Sequence, residues 1–213
     1  AECGIKIVIY NFMPIIDWTR TDLSYRLPNG VRALRFDYFE FAAFDLYILQ
    51  RRAAELDYTS QEQIQARKVF DAMTEETKQR LVKNIIAGLP GAEESFTLEE
   101  FNAALEEYRD INAERLRSHL FAFLGEIMPV ADDCGVRVAI HPDDPPRPMF
   151  GLPRILSNEN DIMQVMDNFA SPNCGLNICA GSLGVSADND LEKFIRTWGP
   201  RIPFVHLRSV QRE

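Results

Sequence analysis

The feature that most constrains this chain is a change of rhythm after Gly135. Residues 136–140 ("VRVAI") read as a strand, 158–170 ("NENDIMQVMDNFA") as a helix and 175–181 ("GLNICAG") as a strand. Residues 188–199 ("DNDLEKFIRTWG") are again helical, and 202–209 ("IPFVHLRS") close as a strand. Strand, helix, strand, helix, strand is the signature of a parallel sheet with crossover helices, an α/β fold. An earlier run, 5–10 ("IKIVIY"), is nearly uniformly apolar, as expected of a buried parallel strand. No Gly-rich phosphate loop of either common type follows any of these strands, which argues against a nucleotide-binding sheet.

Between the first strand and the later ones the pattern differs. Residues 11–35 read as a long loop in which "LPNGVRAL" carries a tight-turn signal at Asn29-Gly30 between two short extended pieces. From 36 to 130 the spacing is helical. Thr59 with Glu62 and Thr97 with Glu100 form capping boxes, and Asn112 caps the longest helix. In that helix Leu116, Leu120, Phe123, Ile127 and Val130 form an apolar stripe ending at Gly135. "AGLPGAEESF" (87–96) is a break between helices. At the start, "AECG" reads as a helix end capped by Gly4. Both termini read as interior points of something longer.

The length of 213 residues and the 46% hydrophobic content suffice for a sizeable core. Lys and Arg total 23 against 32 Asp and Glu, a net charge of -9. Nucleic-acid binding wants a basic surface, so no nucleic-acid partner is expected. No apolar run approaches the roughly 18 residues of a membrane span, and no signal pattern opens the chain, so a cytoplasmic protein without a membrane partner is expected. Cys3, Cys134, Cys174 and Cys179 form no CxxC pair and are expected as reduced thiols.

The chemistry sits at strand ends. The strand at 136–140 runs into His141, the next reaches Cys179, and the last reaches His206. Parallel α/β folds build active sites at the carboxyl edge of the sheet. Imidazole and thiolate suit transition-metal sites. A lone strand-end histidine or apolar-flanked cysteine is ordinarily structural, but three at equivalent positions put a shared metal on an equal footing with separate structural roles, and spacing alone leaves both readings open. Asp143 and Asp144 fit three roles: orienting His141, acid/base chemistry, or capping loop amides. Arg208 shares a strand face with His206, and Arg20, Arg147 and Arg154 lie in loops; arginine pairs well with a substrate carboxylate. His119 sits mid-helix and serves as a control, assigned no chemistry.

The strings "YNFMPIIDWTRTDL", "ALRFD", "NIIAGLPGAEE", "HPDDPPRPMFGLPRI", "CAGSLGVSADND" and "FVHLRS" together resemble the mannonate dehydratase family, along nearly the whole chain. The resemblance implies a TIM (β/α)8 barrel of xylose-isomerase-like type. Residues 1–213 would then be one incomplete barrel domain, with 36–112 as a mainly helical insertion. It implies dehydration of D-mannonate to 2-dehydro-3-deoxy-D-gluconate in hexuronate catabolism, with a divalent metal, Mn2+ or Fe2+. It also implies that His141, Cys179 and His206 are the metal ligands. Arg20, Trp18, Asn11, Arg154, Ser182 and Arg208 are the expected substrate contacts, Asp143 the local acid/base candidate, and a homo-oligomer the expected assembly. Family chains extend further at both ends and carry a fourth ligand and a catalytic histidine beyond this sequence, so the 213 residues alone are expected to be inactive. Two alternatives to the lyase are a sugar isomerase or epimerase on a related barrel, and a non-enzymatic scaffold.

Overall fold

A computed structural model describes residues 3–88 and 97–212. In chain order its elements are β1 (Ile7–Tyr10), β2 (Asp22–Arg26), β3 (Arg32–Arg35), α1 (Tyr38–Ala43), α2 (Ser60–Ala72), α3 (Glu75–Ile86), α4 (Leu98–Glu107) and α5 (Ala113–Cys134). There follow β4 (Arg137–Ile140), α6 (Glu159–Asn168), β5 (Cys174–Cys179), α7 (Ala180–Leu183), α8 (Leu191–Trp198) and β6 (Phe204–His206). The backbone divides into two compact units. One holds Ala1–Met13, Ile111–Pro148 and Pro153–Glu213; the other holds Pro14–Asp110 with Met149–Leu152.

The first unit is α/β. Its four strands pair in parallel in the order β1-β4-β5-β6. Strand β5 is buried along its whole length, as befits a strand with neighbours on both sides. The core comprises Leu116, Leu120, Leu124 and Met128 of α5 against Val138, Ile140, Leu176 and Ile178 of the sheet, with Ile162 of α6 and Phe194 of α8. Each such side chain contributes roughly 1.5–3 kcal/mol by leaving water. Arg201 fastens the layers: its guanidinium donates to the carbonyls of Cys174 (2.8 Å), Met166 (2.8 Å) and Phe169 (2.6 Å). It thereby satisfies acceptors that the end of α6 leaves open.

Two expectations change here. The inward stripe of α5 runs Leu116, Leu120, Leu124, Met128, Ala131, whereas Phe123 and Val130 are exposed. The buried positions advance by four from Leu116 to Met128 and then by three to Ala131, whereas the expected stripe steps by three from Leu120 to Phe123 and so leaves the core face, with Ile127 only half-buried. Phe123 instead lies on the flank, 5.6 and 5.7 Å from the rings of Tyr10 and Phe12. Strand β1 reads as buried, whereas Ile7 and Val8 are exposed in these 213 residues, where β1 stands outermost in the strand order. Gly4, with φ at 76°, adopts the left-handed backbone of a cap glycine; Ala1 and Glu2 of the proposed helix end lie outside the described residues.

The second unit is mainly helical. The 11–35 segment contains an antiparallel hairpin, β2 with β3, closed where Gly30 N donates to Leu27 O and Leu27 N to Val31 O. Gly30 sits at φ 86°, the left-handed region the turn demands. Both expected capping boxes form, Thr59 with Glu62 on α2 and Thr97 with Glu100 on α4. Asp37 and Thr74 cap α1 and α3 in addition. Phe41, Phe44, Phe101 and Phe150 form an aromatic nucleus, with ring centroids 4.6 to 5.9 Å from that of Phe150. The break at 87–96 falls largely on residues 89–96, outside the described residues. Among the described residues no helix is long and apolar enough to cross a membrane.

Candidate metal centre

The parallel register of β5 and β6 sets Cys179 opposite His206, and His141 follows the last residue of β4. His141, Cys179 and His206 each offer a ligand atom, and these atoms all lie within 4.8 Å of one another. A shared cation bonded tetrahedrally at about 2.0–2.3 Å to nitrogen and sulfur brings such donors to about 3.3–3.8 Å from one another. Side-chain rotation that draws the three donors inward by up to about an ångström meets that need.

The atoms around the three side chains fix their chemistry. His141 Nδ1 lies 2.7 Å from the carbonyl oxygen of Pro142. A carbonyl only accepts, so Nδ1 carries a proton and the Nε2 side is left for a partner. Cys179 is buried, and burial opposes its ionisation. Hydrogen bonds from His141 and Ser182 and the positive charge of Arg208 outweigh that and bring the thiol down to about 6. The shift of His141 is upward: burial opposes it, and the hydrogen bond to Cys179 and the thiolate charge overcome the opposition. The metal-free pair therefore favours imidazolium beside thiolate, and a cation entering the site displaces the proton they share.

A second tier supports the thiolate. Ser182, fully buried on α7, donates its hydroxyl to Cys179 Sγ at 3.2 Å. Arg208 Nη2 donates to Ser182 Oγ at 3.0 Å and to Asp144 Oδ2 at 2.7 Å. Gly181 makes this possible, since a Cβ there would run into the Arg208 guanidinium. Asp143 is buried, and its Oδ2 accepts from Leu156 N (2.6 Å) and Ser157 Oγ (2.8 Å). Its own amide donates to Leu156 O at 3.1 Å, so the loop after His141 is pinned at both ends. Burial raises the pKa of Asp143, against the opposing charge of Arg154.

The other expected site residues are placed as follows. Asn11 is exposed just past β1, and Arg154 is close enough for its charge to act on Asp143. Trp18 and Arg20 belong to the helical unit; Trp18 is half-buried, and Arg20 is buried with Nη1 donating to Thr19 O at 2.7 Å. His119, the control, is exposed on α5. All four cysteines are free thiols, Cys3 and Cys134 exposed, Cys174 and Cys179 buried. Sequence reasoning missed Asn177, whose Nδ2 lies 3.3 Å from His206 Nδ1. The available signal was an amide inside an apolar strand, two positions before Cys179 and so on the same face.

A sequence profile of the family described as D-mannonate dehydratase (UxuA) matches residues 1–213. The chain belongs to the mannonate dehydratase family. The mannonate dehydratase of Marinomonas sp. (strain MWYL1) is 55% identical over 213 residues, covering 100% of this chain and 54% of the relative. That of Chromohalobacter salexigens is 53% identical over the same span, again 54% of its length. The crystal structure of mannonate dehydratase from Streptococcus suis serotype 2 superposes with a TM-score of 0.67 at 30% identity, covering 100% of this chain and 47% of that one. The chain thus spans about half the length of the curated mannonate dehydratases it matches. The fold likeness agrees with an α/β architecture whose parallel sheet is half of a barrel.

Proposed function

We propose that the protein carrying this chain is a metal-dependent hydro-lyase that converts D-mannonate to 2-dehydro-3-deoxy-D-gluconate in hexuronate catabolism. One observation carries this reading: two imidazoles and a thiolate from three adjacent parallel strands, with ligand atoms within 4.8 Å, in a mannonate dehydratase family chain. Such a donor set suits a divalent transition metal, and Mn2+ or Fe2+ is the proposed ion. When bound, the ion supplies a Lewis acid for substrate oxygens on which negative charge grows.

The chain's own residues do the rest. Dehydration removes the proton beside the substrate carboxylate and hydroxide from the next carbon, so one water leaves and the enol relaxes to a ketone. His141 and His206 supply neutral donors, and Cys179 supplies a charged one that Ser182 holds from behind. Asp143 is the proposed proton-transfer group, because burial favours its protonated form. Arg208, Arg154 and Arg20 are assigned to the substrate carboxylate, and Asn11 and Trp18 to its hydroxyls, while Ser182, first expected as a substrate contact, is fully buried and is assigned instead to the thiolate. The complete fold is proposed as a xylose-isomerase-like (β/α)8 barrel. Residues 1–213 would belong to that single domain, with 36–112 as the helical insertion, in a cytoplasmic homo-oligomer. Sedimentation of the full-length protein and cell fractionation check the last two statements.

His206→Ala in the full-length protein is expected to abolish both stoichiometric Mn2+ binding and mannonate turnover. A variant retaining both refutes the ligand assignment. NMR of the product separates the lyase, which forms a keto-deoxy acid, from an isomerase or epimerase, which forms no deoxy carbon.

A further inference from the structure

We propose that Asn177 is a positioning residue for His206: its side-chain oxygen accepts the Nδ1 proton, so that Nε2 keeps its lone pair for the cation. This rests on the metal-centre reading above and deepens it. Side chains alternate along a strand, so Asn177 and Cys179 share one face of β5. The parallel register sets Asn177 opposite Phe204 and Cys179 opposite His206. The amide therefore lies one step behind the imidazole, on the face the metal donors use.

Asn177 is 0% exposed, in a strand whose other members are Cys174, Gly175, Leu176, Ile178 and Cys179. A buried amide in such surroundings is costly unless it bonds. Its Nδ2 sits 3.3 Å from His206 Nδ1, while its Oδ1 has no hydrogen-bond partner. In that orientation the amino group donates to Nδ1, which puts the imidazole proton on Nε2 and blocks coordination there. A half-turn about Cβ–Cγ exchanges the two amide atoms at nearly the same positions. Oδ1 then meets Nδ1–H, the orphaned acceptor gains a donor, and Nε2 is free.

His141 offers the internal comparison. Its Nδ1 proton goes to the Pro142 carbonyl at 2.7 Å, a backbone oxygen in the role assigned here to Asn177. Metal-bound histidines generally donate their second nitrogen in this way, which fixes tautomer and ring plane. The ring of His206 is also flanked by Phe204, edge-on at 84° and 5.5 Å, and by His141 at 5.2 Å. Those contacts limit tilt; they do not choose the tautomer. Asn177 does.

The test measures Mn2+ affinity and the visible spectrum of the Co2+-loaded site in the full-length protein. It compares the native protein with Asn177→Leu, Asn177→Asp and His206→Ala. Asn177→Leu, with the same number and branching of side-chain heavy atoms but no acceptor, is expected to weaken Mn2+ binding about 10–100-fold and to shift the Co2+ bands. Asn177→Asp, whose carboxylate accepts the same proton, is expected to retain affinity within about threefold and the native spectrum. The proposal is overturned if the Leu variant binds within about twofold of native, or if the Asp variant is as weak as the Leu variant. In either case the metal centre itself stands, provided native protein binds Mn2+ and His206→Ala does not. If the native protein binds no Mn2+, the metal centre falls and takes this inference with it. Should Asn177→Leu fail to fold, Asn177→Asp decides alone: an acceptor-only side chain that loses affinity means the native amide donates.

Discussion

Each of the two units gathers a cluster of ionisable side chains around one buried group, Asp45 in one and Cys179 in the other, and the clusters differ in where the counter-charge comes from. In the helical unit Asp45 is fully buried, and Arg51, six residues along the chain, meets it through two hydrogen bonds of 2.9 and 2.8 Å. Tyr58 adds a third donor at 2.9 Å, and Arg51 also reaches Asp57. Burial opposes the charge of Arg51, but hydrogen bonds to Asp45 and Asp57 carry its pKa upward. That cluster is closed: donors and acceptors match, and the cation is a side chain. In the α/β unit His141, Cys179 and His206 gather at one point, and without a metal the counter-charge to the thiolate is a proton shared with His141, which an entering cation can displace. The arginine nearby, Arg208, acts through Ser182 and Asp144 from one side. A cluster whose counter-charge is a fixed side chain holds a fold together; one whose counter-charge is an exchangeable proton leaves its donors open to a cation.

The largest effect that tests this contrast is on the closed cluster. Arg51→Met should destabilise the protein by about 3–5 kcal/mol, since it leaves Asp45 buried without its partner. Denaturant unfolding measures the loss, while Mn2+ affinity of the folded fraction should stay native. An affinity that falls with stability would show that the two clusters are not independent. Next in size, Asp143→Asn should lower turnover by about 100-fold or more with Mn2+ stoichiometry unchanged, because the amide oxygen still accepts from Leu156 and Ser157 but cannot pass a proton. Native turnover in that variant would reduce Asp143 to a loop anchor.

A smaller and pH-dependent effect concerns the open cluster. The thiol of Cys179 lies at about 6 in the folded chain against an ordinary value of 9.0. The fold thus favours the ionised form, and the sign follows. The stabilisation is complete above the ordinary value and is lost as pH falls through about 6. Thiolate ultraviolet absorbance of the metal-free protein should therefore grow in with a midpoint near pH 6, and Ser182→Ala should move that midpoint upward. A midpoint near 9 would remove the electrostatic basis of the contrast. The smallest effect is local: Thr59→Ala should cost about 1 kcal/mol through the lost cap of α2, read as a lower melting temperature.

Much of this was legible in the sequence wherever the cause is local. Thr59-x-x-Glu62 and Thr97-x-x-Glu100 act within one helical turn, so their capping boxes could be read directly. The strand-end positions of His141, Cys179 and His206 were legible for a related reason. Parallel strands joined by crossovers all present their carboxyl ends at one edge, so three strand-end donors share that edge before any coordinate is known. The α5 stripe was read less well: steps of three and four are both apolar there, and which face turns inward depends on the sheet it meets. Asp45 gave no signal, because its pairing depends on a π-helical turn at Phe44–Leu49 and a left-handed Gln50. Asn177 was overlooked because an isolated amide in a strand acquires meaning from the neighbouring strand's register.

The sequence by itself determined the alternation of strands and helices, the helix starts, the hairpin turn at Asn29-Gly30 and the strand-end places of His141, Cys179 and His206. These follow from interactions spanning a few residues, where chain connectivity already brings the partners together. Tertiary structure decided which residues act in concert: Asn177 with His206, Ser182 and Arg208 behind Cys179, Arg201 across three carbonyls. Those partners are 26 to 35 residues apart in the cases of Ser182 with Arg208, Asn177 with His206 and Arg201 with its acceptors. Over such separations strand register and layer packing, rather than local preference, choose which polar atoms meet.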